Sequence, residues 1–390
     1  MCWRTTGVRE QRVEFVVRVS RGESISELCR EYGISRPTGY LWVRRFRELG
    51  VAGVETHSHR PLSSPRQTAP AIESRIVELR EQRPDWGARK LAVLLEREGI
   101  RLPVITVHRV LLRHGLVLQH DRHRAATQRF VRERPNELWQ MDFKGPKECK
   151  VPVGPLSVLD DHSRFLVALE QTGSTRGEAV RERLEVTFAA NGVPEAMLMD
   201  HGVPWWNAMA PSGWTTLLVW LMKQGIECHF SGYRHPQTQG KVERFHGALE
   251  RARRRRPEQQ PWLEQSWLNE FKYEYNYVRP HEALGMCTPA SIWVPSPRKY
   301  DSNPPAYEYG PEAEVRKIDV DGDLYLNGRH WSISLALASE QVELKRLEQR
   351  ILIYYYRTLV REIDLRTQRS TAVDRWVQPL ICKGSPDNNV

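Results

Sequence analysis

The stretch QTQGKVERFHGALERARRRR, Gln237 to Arg256, predicts a loop that ends at a glycine and is followed by a helix. Val242, Phe245 and Leu249 recur at the spacing of one helix face and would pack on a core. Glu243 lies beside that apolar stripe in the first turn, so its carboxylate can point into a cleft at the rim of the core. An acid in a first turn also complements the helix dipole without any further role, and this stretch alone leaves both interpretations open.

Length, charge and cysteine usage limit the classes of protein. The chain has 390 residues, a hydrophobic content of 40% and a formal net charge of +10, which predicts two to four domains and favours a polyanionic partner. The six cysteines are far apart and form no CxxC pair, which argues against a zinc site and a disulfide framework and is typical of a reducing cytosol. The polar start has no signal-peptide pattern, and no apolar run approaches the ~20 residues of a membrane span. We therefore expect a soluble, cytoplasmic protein.

Residues 9–56 have the pattern of a helix-turn-helix domain. SISE, beginning at Ser24, predicts a capping box, and Ser35 would cap the third helix. The apolar side chains of that helix expected to face inward are Trp42, Phe46 and Leu49. Its arginines fall largely on other faces, as a recognition helix in a major groove requires, and the alternative is a solvated charged face. The predicted DNA contacts in this domain are Arg36, Arg44, Arg45 and Arg47.

Residues 70–118 predict a second, less distinct helix-turn-helix domain. Thr106 is a candidate cap for its third helix, and Gly115 would end that helix. The inward residues would be Ile76, Leu79, Leu91, Leu94, Leu95, Val107, Val110 and Leu111. Arg109 and Arg113 face outward and are predicted DNA contacts.

A basic segment, residues 119–135, follows the second helical domain. We interpret it as a linker that can lie along a phosphate backbone, with Arg122 and Arg124 as contacts. The alternative is a tether that is merely solvated.

From residue 136 to 298 the pattern changes to short strands and helices of an α/β domain. Asp142 lies inside the first strand, where a charge is unfavourable without a partner. Asp200 lies at the carboxyl end of a later strand, where open α/β sheets place their sites. If the first and fourth strands are neighbours, the two aspartates are adjacent and the helix can lay Glu243 over them. Three such oxygen donors would suit two Mg²⁺ or Mn²⁺ ions, which can activate a water or a 3′-hydroxyl.

Five motifs in this order resemble the DDE integrase and transposase core of the retroviral-integrase superfamily, and more closely an IS481-type insertion-sequence transposase. They are WQMDFKG, VLDDHSRF, MLMDHGVPWWN, YRHPQTQGKVERFHGALE and YNYVRPHEALGMCTPA. The resemblance implies an RNase H-like core with Asp142, Asp200 and Glu243 as the catalytic, metal-binding triad. It also implies a loop at Gln237 and Gln239 that contacts target DNA. The sequence departs from the family at position 201, a histidine where asparagine is usual.

Several further side chains near the motifs have two interpretations each. Lys241 and Arg244 flank Glu243 and are candidate DNA contacts. Asp160 and Asp161 fall in a hairpin turn, where aspartate is common for backbone reasons. For His246, packing or solvent exposure is favoured over a role in catalysis. For three tryptophans, packing is favoured over stacking on unpaired bases: Trp205, Trp206 and Trp214.

The carboxyl-terminal region, residues 311–370, has a β pattern with two hairpin signals at Asp321-Gly322 and Asn327-Gly328. It predicts a small, SH3-like β-barrel. Its expected role is contact with DNA or a neighbouring subunit.

Together these features predict a DNA transposase that binds the terminal inverted repeats of its element and catalyses metal-dependent cleavage and strand transfer. The expected partners are double-stranded DNA and a second copy of the chain, as a dimer or higher multimer. The main alternative is a non-catalytic helix-turn-helix regulator or a domesticated relic. A metal-dependent nuclease that cuts without joining is a further alternative.

Overall fold

The computed structural model describes most of the chain, which divides into two compact units, Met1–Ala69 and Pro70–Val390. The described residues are 7–55, 67–117, 131–145, 153–207, 213–231, 240–254 and 264–373. In those ranges no helix is long and apolar enough to cross a membrane.

The first unit contains three helices in the predicted helix-turn-helix order. They are α1 (Val8–Ser20), α2 (Ile25–Glu31) and α3 (Arg36–Leu49). Ser35 caps α3 as predicted, because its hydroxyl accepts from the Thr38 amide at 3.4 Å. Ser24 is the first residue before α2, but its side chain makes no capping hydrogen bond, so the predicted capping box is wrong.

The buried face of α3 is rotated relative to the sequence-based expectation. Gly39 and Val43 are its buried residues, and a Cβ at Gly39 would lie 2.5 Å from Cys29 Sγ. Trp42 and Phe46 are only partly buried. Leu49, in the last turn, is 57% exposed, and its predicted inward placement is wrong.

The second unit begins with another three helices. They are α4 (Pro70–Gln82), α5 (Ala88–Arg97) and α6 (Val104–Arg113). The apolar residues predicted to face inward form one buried cluster around Trp86. Thr106 is not the cap, because α6 begins before it, with Pro103 at the N-cap. Gly115 follows the helix with a φ of +66°, which only glycine adopts readily.

A five-stranded sheet follows, with the strand order β3-β2-β1-β4-β5. The first three strands are antiparallel, and β1, β4 and β5 are parallel. The strands are β1 (Trp139–Phe143), β2 (Leu156–Asp160), β3 (Leu166–Glu170), β4 (Ala196–Met199) and β5 (Glu227–Phe230). The predicted α/β core is confirmed, and the first and fourth strands, whose adjacency the sequence left as a condition, are neighbours.

Helices cover both faces of this sheet. One apolar cluster contains residues of α7 (Gly177–Asn191) and α8 (Thr216–Lys223) together with Trp139 and Met141. The other contains residues of α9 (Gly240–Arg253) and α10 (Gln265–Tyr273). The predicted stripe of α9 is buried in this second cluster: Val242, Phe245 and Leu249.

The carboxyl-terminal region is an antiparallel sheet with the order β12-β11-β10-β9-β6, beside a separate β7-β8 hairpin. The strands are β6 (Glu314–Lys317), β7 (Asp323–Leu326), β8 (Arg329–Ser332), β9 (Gln341–Leu347), β10 (Arg350–Tyr355), β11 (Thr358–Asp364) and β12 (Arg369–Ala372). Asn327-Gly328 makes the predicted hairpin turn. Asp321-Gly322 does not, because β6 pairs with β9 rather than with β7. Among the described residues β6 and β12 remain sheet edges, so the ladders do not close into the predicted barrel.

The carboxyl-terminal sheet and the central domain share one apolar cluster. Trp214 Nε1 donates to the carbonyl of Val360 at 3.0 Å, and Lys223 forms an ion pair with Glu340 at 2.6 Å. Trp205 and Trp214 are both buried. Their role in packing, which the sequence favours over base stacking, agrees with this placement.

Candidate active site and nucleic-acid interface

Strand order brings the two predicted aspartates together. The parallel register of β1 and β4 pairs Trp139 with Met197 and Gln140 with Leu198. Continued for two residues, the same register sets Asp142 beside Asp200, just beyond the end of β4. Alternate residues of a strand share a face, so both carboxylates lie on the face of Gln140, opposite to the face of Met141.

The electrostatics of Asp142 indicate that three carboxylates are neighbours. Burial raises the pKa of Asp142 to about 7, and the charges of Asp200 and Glu243 contribute in the same direction. The amide of Phe143 and the charge of Lys144 oppose the rise. Like charges disfavour one another's ionised form. A cation bound here would reduce this repulsion and favour the ionised form of Asp142.

Asp200 and Glu243 are held by the backbone at the start of their segments. Asp200 Oδ1 accepts from the Gly202 amide at 3.0 Å. A Cβ at Gly202 would lie 3.1 Å from both carboxylate oxygens, so the glycine allows the chain to turn closely around the acid. Glu243 is exposed in the first turn of α9, which is the location predicted for it.

The donor set is chemically suited to a hard divalent cation, because it consists of carboxylate oxygens. The donor atoms of the three acids are nevertheless more widely spread than 4.8 Å. In the described part of the chain, one group of three such side chains has ligand atoms that all lie within 4.8 Å of one another: Asp319, Asp323 and His330. Asp319 already accepts from the amides of Asp321 and Asp323, at 3.0 and 2.8 Å, and thereby shapes the loop before β7.

His246 lies between Asp142 and the neighbouring strand. Its Nε2 is 3.1 Å from Ser157 Oγ, and its Nδ1 is 3.7 Å from Asp142 Oδ2. Ser157 is the cross-strand partner of Asp142 in the β1–β2 ladder. Burial lowers the pKa of His246 to about 3, so the ring is neutral and packs beneath the site, the alternative that the sequence favoured.

Asp160 and Asp161 are fully buried, unlike the residues of an ordinary exposed hairpin turn. Asp160 accepts from the Asn136 amide at 2.8 Å, and from the Ser163 amide and hydroxyl at 2.7 and 2.6 Å. Asp161 accepts from the Arg132 amide at 2.9 Å and the Gln140 side chain at 2.8 Å. The turn location was predicted, but the hydrogen-bond network was not.

The two candidate DNA contacts beside Glu243, Lys241 and Arg244, differ in exposure. Lys241 forms an ion pair with Asp161, and its side chain is only 12% exposed. Its placement does not support the predicted DNA contact. Arg244 is exposed, and its DNA contact stays a prediction.

The candidate DNA contacts of α3 have open surfaces. Arg36, Arg44 and Arg47 are exposed, and Arg45 lies 5.2 Å from the centroid of the Trp42 ring. Within the described ranges none of these four arginines forms an ion pair with an acidic side chain. This arrangement is suited to phosphate contacts, and the contacts themselves stay predictions.

The candidates of α6 are more mixed. Arg109 is exposed, whereas Arg113 forms an ion pair with Glu73 of α4. Arg113 is therefore already engaged within the helical unit, which weakens its case as a DNA contact. The remaining candidates lie outside the described residues: Arg122, Arg124, Gln237 and Gln239.

Comparison with known families identifies three segments. Residues 224–289 match an integrase core domain, residues 11–61 match a helix-turn-helix domain, and residues 38–111 match a homeodomain-like domain. The integrase segment contains β5, α9 and α10, and therefore Glu243.

Two relatives are insertion-element proteins. An insertion element IS476 uncharacterized protein of Xanthomonas euvesicatoria is 24% identical over 291 residues, covering 70% of this chain and 79% of the relative. An insertion element IS407 uncharacterized protein of Burkholderia multivorans is 24% identical over 242 residues, covering 57% of this chain and 80% of the relative. The chain therefore contains an integrase core domain and helix-turn-helix domains, and it is similar to insertion-element proteins. The predicted resemblance to insertion-sequence transposases is confirmed at this level.

Two solved structures with distant likeness to this chain come from retroviruses. The HTLV-2 integrase catalytic core domain in complex with magnesium is 16% identical, with a TM-score of 0.33 over 41% of this chain and 97% of that chain. The simian T-cell lymphotropic virus intasome in complex with PP2A regulatory subunit B56 gamma is 16% identical, with a TM-score of 0.35 over 76% of this chain and 98% of that chain.

The integrase core is joined to the α4–α6 helices by polar contacts that the sequence did not predict. Arg97 donates to the carbonyl of Val278 at 2.8 Å, and Arg83 pairs with Glu274 at 3.2 Å. Glu274–Val278 is a π-helical turn. The second helical domain is therefore packed on the core rather than tethered to it.

Proposed function

We propose that this transposase binds the ends of its element through the α1–α3 and α4–α6 domains and cuts and joins DNA at Asp142, Asp200 and Glu243. A transposase or integrase function follows from the integrase core domain, the helix-turn-helix domains and the insertion-element relatives. The catalytic triad, the RNase H-like class of the core and the order of the reaction are the finer parts of the proposal.

The observation that carries the proposed site is the convergence of carboxylates from three separate elements, two of which act electrostatically on the third, Asp142. Asp142 comes from β1, Asp200 follows β4 and Glu243 begins α9. The pKa of Asp142 is raised by burial and by both neighbouring acids. Such a shift has no benefit for stability, because it disfavours the ionised form that predominates in water at neutral pH.

The triad would hold Mg²⁺ or Mn²⁺, two ions in the proposed mechanism. Bound there, these cations would supply Lewis-acid activation of the attacking oxygen and stabilisation of the leaving oxygen. The protein's own contribution is positional: Asp142 is fixed by its strand, Asp200 by the Gly202 turn, and Glu243 by the first turn of α9. Neutral His246 packs against Ser157 beneath Asp142.

Two reactions would use this site in sequence. A water would first attack the phosphodiester at the element end, leaving a free 3′-hydroxyl. That hydroxyl would then attack a phosphodiester of the target DNA, forming a new P–O bond while the bond to the target's own 3′-oxygen breaks and leaves a 3′-hydroxyl there. The arginines of α3 and Arg109 of α6 would hold the end by phosphate and base contacts, with Arg244 beside the reacting strand. Two ends must be brought together, so a dimer or higher multimer is proposed.

Strand transfer is the test of this proposal. Purified protein, a labelled duplex carrying the flanking element's end and a target plasmid are incubated with Mg²⁺ or Mn²⁺, alongside an Asp142→Asn control. Joined product that disappears in the control supports the transposase. Binding without cleavage or joining in either metal favours the non-catalytic regulator or relic, and cleavage without joining favours the nuclease.

A further inference from the structure

The turn after β2 places one carboxylate, Asp161, between the sheet and α9. Asp161 is fully buried, and its amide donates to the carbonyl of Leu138 at 2.9 Å. The amide of Arg132 donates to Asp161 Oδ2 at 2.9 Å. These backbone hydrogen bonds hold Asp161 in place against the start of the domain.

One contact of Asp161 is to the strand that carries Asp142. Gln140 Nε2 donates to Asp161 Oδ1 at 2.8 Å. Gln140 is fully buried and precedes Asp142 by two residues on the same face of β1. A shift of β1 along its axis would break this hydrogen bond.

A second contact is to the helix that carries Glu243. Lys241 forms an ion pair with the carboxylate of Asp161, and its Nζ also donates to the carbonyl of Asp161 at 3.0 Å. Lys241 precedes Glu243 by two residues in the first turn of α9. A rotation of α9 about its axis would carry both side chains together.

Gln140 closes the arrangement between strand and helix. Its Oε1 accepts from the amide of Val242 at 3.4 Å, which is one of the first-turn amides that lack an acceptor inside a helix. The contacts therefore form a ring that runs from Asp161 to Gln140, to the start of α9, and through Lys241 back to Asp161.

Apolar packing alone would not fix the start of α9 so closely. The contacts of Val242 and Phe245 in the apolar cluster are non-directional, so they tolerate small rotations. A buried ion pair adds direction, although it contributes little net stability compared with apolar residues of the same size. This kind of contact is suited to holding geometry.

We propose that Asp161, Lys241 and Gln140 are positioning residues that set the distance between Asp142 and Glu243. The inference rests on the proposed catalytic function and extends it. None of the three would touch DNA or the reacting atoms. Their effect would be on how well the triad binds a divalent cation and on the rate of the bound complex.

The test compares Lys241→Met, Asp161→Asn and the double variant with Lys223→Met as a matched control. Lys223 also forms an ion pair, with Glu340 at 2.6 Å, but on the other face of the sheet. The measurements are end binding by fluorescence anisotropy, kcat and KM of strand transfer, Mn²⁺ affinity by electron paramagnetic resonance, and amide hydrogen exchange of the peptide containing residues 240–249.

For Lys241→Met we expect kcat and Mn²⁺ affinity to fall by about 10- to 100-fold, faster exchange at the start of α9, and unchanged end binding. Asp161→Asn should behave alike, and the double variant should be no worse than either single variant, because one interaction is lost in all three. The control should match the wild type. Lys241→Met keeps the test valid even if Asp161→Asn fails to fold.

Other outcomes overturn the proposal. A raised KM with unchanged kcat and Mn²⁺ affinity would make Lys241 a DNA contact. Faster exchange without a change in kcat would show that the ion pair does not govern the site. If the wild type neither joins ends nor binds Mn²⁺, the proposed function fails separately. In that case, unchanged amide hydrogen exchange at the start of α9 in Lys241→Met would also refute the positioning role. Faster exchange there would show that the ion pair has a purely structural role.

Discussion

Two groups of acids in the integrase core have different surroundings. Asp160 and Asp161 face donors: backbone amides, the Ser163 hydroxyl, a glutamine amide and a lysine. Asp142 and Asp200 are partly buried and Glu243 is exposed, and the charges of Asp200 and Glu243 act on Asp142. Burial raises the pKa of both Asp142 and Asp160, and the charge of at least one neighbouring acid adds to the rise in each case. Three hydrogen bonds, from the Ser163 hydroxyl and amide and from the Asn136 amide, oppose the rise at Asp160, whereas at Asp142 the Phe143 amide and the charge of Lys144 oppose it. Burial alone does not separate a structural acid from a functional one; the neighbours do.

The largest expected effect separates the two groups by activity. Asp142→Asn should reduce strand transfer by about 100- to 1,000-fold, because one member of the triad is lost. Its melting temperature should stay equal to that of the wild type or rise, because a repelled charge is removed. A gel assay of joined product and a thermal melt of the same preparation test this. A large fall in melting temperature would place Asp142 with the structural acids.

The reverse signature is expected for Asp160→Ala. The amide and hydroxyl of Ser163 and the amide of Asn136 would lose a buried acceptor, at about 1–3 kcal/mol of the free energy of unfolding for such a group. Urea unfolding measures this loss. The folded fraction should retain strand transfer within about threefold, since Asp160 does not face the triad; loss of catalysis in fully folded protein would break the comparison.

The addition of metal should distinguish the two groups of acids by a smaller effect, on the stability of the fold. At about 100 times its dissociation constant, Mn²⁺ should stabilise the wild type by about 2.7 kcal/mol. Asp160→Ala should show the same increment, and Asp200→Asn should show little. Thermal melts with and without Mn²⁺ measure the increments. An equal increment in Asp200→Asn would locate the ion elsewhere, with Asp319, Asp323 and His330 as the first place to look.

The smallest effect is expected at His246, which touches the triad without belonging to it. His246→Gln keeps a polar group near Ser157 but changes its packing beneath Asp142. The rate of strand transfer should fall by about tenfold, equivalent to about 1.4 kcal/mol in the barrier. Kinetics at saturating metal check this, and a loss as large as that of Asp142→Asn would mean that His246 acts in the reaction itself.

The sequence predicts elements well where a local pattern determines them. The stripe of Val242, Phe245 and Leu249, the cap at Ser35 and the turn at Asn327-Gly328 were all predicted, because each depends on residues within one or two turns of chain. The adjacency of Asp142 and Asp200 was foreseen only on the condition that the first and fourth strands are neighbours, which the sheet satisfies.

Features set by distant residues were missed or wrong. Leu49 is exposed, and the spacing of apolar residues in α3 did not reveal this. Arg113 and Lys241 looked like free cations, but Glu73 and Asp161 come from far away in the chain. Closure of the carboxyl-terminal sheet depends on pairing between edges, and the hairpin signals carry no information about it. The same limit applies to the acids: the sequence places five of them, and only packing reveals which face donors.

The apolar cluster shared by the central domain and the carboxyl-terminal sheet has a consequence for how the protein can evolve. Trp214 fills space beneath Val360 and also lies in the segment between Asp200 and Glu243. A substitution on either side of this contact changes the volume available to the other, so the two regions must vary together. The sheet cannot be exchanged between relatives as a cassette, and recombination that joins a foreign sheet to this core would leave large aromatic residues without a matching surface.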